Sequence, residues 1–285
     1  MTPTPAPRRG TRPRTPLLGV LLVLLLAVAC STSPPPPGNG ASGDDARPAA
    51  NGHLALKPVG SFLLDDAQAA AMVQQSSWEP RPENTTPNHT VPPPDFRPRE
   101  YGGMANGDYV FNRITGNYTG TTDEIFQWAA AKWGLPDELV RAEASVESQW
   151  YQGHKDASGN PINQEGYGDF GDCGGSPPPS PFGPQGPAAF GVMQVKWCAV
   201  NDMSQGGYGG WPWTENSTAY SVDTYAAVLR GCYEGWEPWL GPNYHAGDLW
   251  GCVGRWYTGT WYSPTAQNYI ARVQHAMQTK PWLTW

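Results

Sequence analysis

Apolar residues recur at helical spacing in five stretches of the chain and lose that period between them. Within 121–134, Ile125, Trp128, Ala129 and Trp133 form one buried stripe. Thr121 and Glu124 stand at capping-box spacing before it, and Gly134 closes it. Within 135–150 the recurring positions are Leu139, Ala142 or Glu143, Val146 and Trp150, with Pro136 in the first turn. A third helix is predicted over 217–233 from Val222, Tyr225, Ala226 and Leu229, and a fourth over 246–257 from Leu249, Cys252, Val253 and Trp256. The fifth starts with Ser263 as N-cap and Pro264 behind it, and runs through Ala266, Tyr269, Ile270, Val273 and Met277. A shorter helix is predicted over 64–75, with Asp65 and Asp66 where a helix N-terminus favours negative charge. There is no run of alternating strands and no internal repeat. The expected fold is mainly α, with a small irregular or β patch around the short apolar stretch 190–195.

The aperiodic stretches differ in kind. Residues 31–53 are rich in proline, glycine and serine and read as a disordered tether. Residues 54–107 hold the short helix and then a proline-rich extended arm, whose Trp78 and Phe96 suit it to lie on the main domain, 108–285. Residues 151–189 form a long loop, and 206–213 a flexible one tipped by Trp211 and Trp213, which are placed to stack on a sugar. Asn84, Asn88, Asn117 and Asn216 each open an N-x-[ST] sequon, read here as chance matches.

The first 30 residues stand outside the globular pattern. Arg8, Arg9, Arg12 and Arg14 precede an apolar run of 13 residues, 17–29, too short to span a bilayer and suited to a secretion signal. The run ends "LAVAC", which resembles the lipobox of bacterial lipoproteins. That resemblance implies lipidation of Cys30 and anchoring to the outer face of the cytoplasmic membrane, the alternative being a cleaved signal and a secreted protein. Four of the 5 cysteines then remain, Cys173, Cys198, Cys232 and Cys252, enough for two disulfides in an oxidising compartment. Three pairings are possible. The preferred one joins Cys232 to Cys252 across neighbouring helices and Cys173 to Cys198 around a glycine-rich loop. No C-x-x-C pair exists and the histidines are scattered, so neither metal nor cofactor is expected. Residues 31–285 carry 14 basic and 25 acidic side chains, a net charge of −11 that argues against nucleic acid as a partner. A monomer is expected.

The candidate chemistry lies in "VRAEASVESQW", 140–150. Glu147 sits near the end of its predicted helix; if that end lines a cleft, desolvation raises the carboxyl pKa and suits it to general-acid work. "ASVES" at 144–148, "FGVMQV" at 190–195 and "RWYTG" at 255–259 together resemble, in order, three elements of the lytic transglycosylase and goose-type lysozyme group, over about 160 residues. The resemblance implies a lysozyme-like α-rich domain that cleaves the β-1,4 bonds of peptidoglycan glycan strands. It makes Glu147 the catalytic acid/base, with Ser148 beside it. Gly191, Met193 and Gln194 become the cleft wall, and Tyr257 positions substrate near Glu147. Met193 and Tyr257 fit core positions as well. Forty-three residues separate Glu147 from Gly191, longer than that group's usual gap. Thr258 stands where asparagine is usual, and no asparagine-proline follows Ser148. A lytic transglycosylase forming 1,6-anhydromuramoyl products needs one acid/base. A hydrolytic muramidase needs a second carboxylate, for which Asp169 and Asp172 are the candidates. A third reading is a wall-binding lipoprotein without turnover. Glu143, one turn before Glu147, is expected to be a structural or surface carboxylate.

Overall fold

A computed structural model describes residues 52–98, 103–171, 181–197 and 210–285. Cys30, Asp172, Cys173 and Cys198 fall outside these, so lipidation, half of the second-carboxylate expectation and the Cys173–Cys198 bridge do too.

The described residues are mainly α-helical. In chain order the helices are α1 (Asp66–Ala70), α2 (Thr85–Asn88), α3 (Gly107–Phe111), α4 (Thr122–Trp133), α5 (Asp137–Ser148), α6 (Trp213–Asn216), α7 (Thr218–Tyr233), α8 (Leu249–Thr258) and α9 (Pro264–Thr279). Three two-residue strands, β1 (Tyr167–Gly168), β2 (Ala189–Phe190) and β3 (Val195–Lys196), make the β patch as an antiparallel sheet in the order β1-β2-β3. Among the described residues no helix is long and apolar enough to cross a membrane.

Where capping chemistry was present, the expected helix starts hold. Thr121 and Glu124 form the capping box of α4, and Gly134 ends it in the left-handed conformation at φ 64°. Ser263 caps α9 and Ser217 caps α7. Pro136 is the N-cap of α5 rather than part of its first turn. The helix expected over 64–75 covers only Asp66–Ala70: an Asp65–Gln68 capping box starts it, and the chain then leaves to run across α4.

That crossing explains the main departure from the predicted pattern. All twelve residues of α4 are buried, not one stripe, and all sixteen of α7. The arm covers the polar side of α4 and satisfies it: Gln74 N donates to Gln127 Oε1 and Ser76 N to Glu124 Oε1, both at 2.8 Å. The buried charges on α4 and those facing them are paired, as burial demands. Arg141 Nε donates to Asp123 at 2.6 Å, and Lys132 Nζ to Asp223 at 2.7 Å. Asn84 and Asn88 of the arm are buried too and bond the Thr122 hydroxyl, so these two sequons are structural asparagines.

Helix α4 packs on α7 and α5, α5 on α9, and α8 on α7 and α9. One disulfide is present among the described residues, Cys232–Cys252, which ties α7 to α8. Closing its loop of 20 residues contributes about 3 kcal/mol by restricting the unfolded chain.

Candidate active site

Helix α5 stops abruptly. Gln149 and Trp150 both take positive φ, 54° and 70°, and Trp150 N turns back to Ala144 O at 3.3 Å. Glu147 is therefore held in the last helical turn, where the helix dipole disfavours an anion. Its side chain is only partly covered, and its open side faces a cleft of about 1290 Å³.

Four elements build the cleft. Val146 and Glu147 come from α5, and Thr265, Tyr269 and Arg272 from α9. The end of α8 supplies Arg255, Trp256, Tyr257, Thr258 and Gly259, with Trp239 beside them. The β patch and the turn before it face these with Gln164, Asp169, Phe170, Gln194 and Lys196. Gln164, Asp169 and Gln194 all have positive φ, at 64°, 52° and 51°, a strained conformation for residues with a side chain. Gly168 makes room for one of them, because a Cβ there would lie 2.1 Å from Gln194 Oε1.

Around Glu147 the polar contacts are few. Tyr269, itself buried, donates its hydroxyl to Glu147 Oε1 at 2.5 Å. Burial raises the Glu147 carboxyl from 4.5 to about 7. The Tyr269 hydrogen bond and the Arg272 charge oppose that rise, and the Asp169 charge adds to it. Glu143 is wholly buried, and its pKa is pushed well above the usual carboxylate range by burial and by the charge of Glu147. It is not a surface group. Asp169 is exposed and pairs with Lys196 Nζ at 3.1 Å.

No family model, curated protein or solved structure matches the chain.

The geometry divides the expected site residues into two groups. Glu147, Gln194, Tyr257 and Asp169 all line one cleft. Ser148, Gly191 and Met193 lie beneath it and touch no ligand space. Ser148 Oγ donates to Val192 O at 2.8 Å and so ties α5 to the β patch. Gly191, at φ 83°, lets the backbone pass Thr214 and Ser221, where a Cβ would lie 2.5 and 2.4 Å from Thr214 O and Ser221 Oγ. Met193 is fully buried in the core. Tyr257 reaches Glu147 through another ring, stacking on Tyr269 at 4.6 Å and 1°. Trp213 packs against Phe96 and Trp211 against Trp197, so neither forms a sugar platform in this cleft. The aromatic wall is instead Trp239, Trp256, Tyr257 and Phe170. Sequence reasoning placed Trp256 and Tyr269 in helical core stripes and did not single out Trp239, Phe170 or Arg272. Nothing in a 3.6-residue period separates a core ring from one whose edge opens on a cleft.

Proposed function

We propose that this cleft binds peptidoglycan glycan strands and cleaves their β-1,4 bonds, with Glu147 as the single acid/base of a lytic transglycosylase on a lysozyme-like domain. The observation that carries the reading is a carboxyl raised to about 7, opening on a large cleft with an aromatic wall. The resemblance of "ASVES", "FGVMQV" and "RWYTG" to that group supplies the substrate class.

In this mechanism protonated Glu147 donates its proton to the glycosidic oxygen as the bond to the muramoyl C1 breaks. The resulting carboxylate then takes the proton of the muramoyl 6-hydroxyl. That oxygen attacks C1 and closes the 1,6-anhydro ring, which restores protonated Glu147 and consumes no water. The substrate's acetamido group stabilises the intermediate, so no second carboxylate is needed. Trp239, Trp256 and Tyr257 line the cleft where the pyranoses would lie, and Gln194 offers its amide to an N-acetyl or hydroxyl group.

A second reading, hydrolysis, is favoured by one observation: Asp169 lies in the same cleft and its charge is felt at Glu147. Its engagement by Lys196 weighs against its acting as a base. The purified protein incubated with peptidoglycan, followed by mass measurement of the soluble products, separates the readings. Anhydro-muropeptides are expected; reducing ends would make the enzyme a hydrolase. Co-sedimentation with the wall and no release would leave only a binding module.

Transglycosylation by a single acid fixes the pH dependence. The first step needs Glu147 protonated, so kcat/KM should fall about tenfold per pH unit above about 7. A rate that keeps rising above that point would exclude Glu147 as the acid. The same proposal places the protein on the outer face of the membrane by a lipid on Cys30. Cys30→Ala should then move it from the membrane to the soluble fraction, and an unchanged distribution would remove the anchor.

A further inference from the structure

Glu143 has no part in the mechanism above, yet its placement is costly. It lies one turn before Glu147 on α5, at 0% exposure. No lysine or arginine pairs with it among the described residues; Arg141 of the same helix is taken by Asp123 and Asp137. Its Oε2 has no hydrogen-bond partner. A charged carboxylate so isolated would cost several kcal/mol, so the buried group is neutral. Its one side-chain hydrogen-bond contact among the described residues is the Tyr269 hydroxyl, 3.3 Å from Glu143 Oε1 and 2.5 Å from Glu147 Oε1. A phenol has a single proton. The shorter contact takes it, which leaves the contact to Glu143 to be served by the proton on Glu143 itself.

We infer that Glu143 is a positioning residue: as a neutral acid it donates to the Tyr269 oxygen and so holds the tyrosine proton on Glu147. The stacking of Tyr257 on Tyr269 fixes the ring plane, and Glu143 fixes the rotation of its hydroxyl. Three charged or titratable groups outside α5 bear on this pair: Tyr269 and Arg272 from α9, and Asp169 from the β patch. Of these only Tyr269 touches both glutamates. The device lets a hydrogen bond, rather than a directly paired cation, hold the catalytic carboxyl in place; Arg272 acts on it only as a nearby charge.

The inference rests on Glu147 being the catalytic acid/base, but it can be tested without substrate. Titrating the glutamate carboxyl carbons by NMR in the purified protein, with the Glu147 signal assigned by its loss in Glu147→Gln, reads the proton affinity directly. Glu143→Gln keeps a neutral donor and should leave the Glu147 midpoint in place. Glu143→Met removes the donor, frees the Tyr269 hydroxyl to turn away, and should raise that midpoint by about one unit, or tenfold in proton affinity. In a Tyr269→Phe background the methionine change should add nothing. If Glu143→Met does not fold, Glu143→Ala replaces it, since it opens space rather than filling it. On glycan, kcat should fall about tenfold in Glu143→Met at unchanged KM and return in Glu143→Gln. A Glu147 midpoint that falls in Glu143→Gln would mean Glu143 carries charge; one that does not move in Glu143→Met would mean it positions nothing. Either outcome overturns the inference. A wild type that cleaves no glycan defeats the reaction instead, while the titration still decides the role of Glu143.

Discussion

Glu147→Gln should reduce release of muropeptides by at least about a thousandfold and at the same time make the protein more stable at pH values above about 7. Both effects have one cause. Glutamine keeps the shape of the side chain and can still accept from Tyr269, but it has no proton to give to a leaving oxygen. The stability effect follows from the raised pKa. The folded carboxyl binds its proton more tightly than the unfolded one, so the benefit is full below 4.5 and is lost as the pH rises from 4.5 to about 7. Above that range the wild type holds a buried anion that glutamine lacks. Melting temperatures of the two proteins should coincide below about pH 4.5, diverge between 4.5 and about 7, and stay apart above that, with the variant melting higher. Such a trade of stability for activity is characteristic of a working site. A variant that melts lower at every pH would make Glu147 a structural residue, and retained muropeptide release would remove it from the mechanism.

Much of this site could be seen in the sequence, and what could not follows a physical rule. Helix starts were legible because capping is local chemistry: Thr121 with Glu124, and Ser263 with Pro264, state their own geometry within four residues. The Cys232–Cys252 bridge was legible because two predicted helices carried one cysteine each. Legibility failed where side matters. Ser148, Gly191 and Met193 lie within three residues of Glu147 or Gln194 but sit below the cleft, and closeness in a motif carries no direction. Tyr269 was visible only as one more ring in a buried stripe, and its hydroxyl reaches a residue 122 positions away. The arm was read from its prolines as extended, and its asparagines as chance sequons; their burial agrees with the latter, but nothing local disclosed their structural role. Their value lies in long-range bonds: Asn84 Oδ1 accepts from Gln152 N at 2.8 Å, and Gln152 Oε1 accepts from Val192 N at 3.0 Å. That chain runs from the arm to the turn that carries Gln194.

The same arm and the C-terminal segment meet at a single residue, and its removal should cost more stability than any other change considered. Trp150 is wholly buried directly after the end of α5. Trp78 of the arm meets it edge-on at 5.6 Å and Phe126 of α4 at 4.8 Å. Trp282 stacks on it at 6.0 Å, and Trp285 meets it edge-on at 5.5 Å. Its indole donates to Arg141 O at 2.9 Å, and its carbonyl accepts from Asn84 Nδ2 at 2.6 Å. Arg81 closes the outside, its guanidinium lying over Tyr151 at 4.5 Å and Trp285 at 4.2 Å. Trp150→Ala should cost about 3–5 kcal/mol, because the surrounding rings belong to three segments that cannot all collapse into one cavity. The midpoint of thermal unfolding should fall by about 10 °C. Limited proteolysis should cut first within 54–98, since the arm loses its anchor while α4 and α7 keep each other. Trp285→Ala, at the partly covered rim of the same cluster, should cost clearly less. A Trp150→Ala protein that melts with the wild type, or an arm that stays protected in it, would mean that the end of α5 is fixed elsewhere. The position of Glu147 would then owe nothing to the tryptophan cluster behind it.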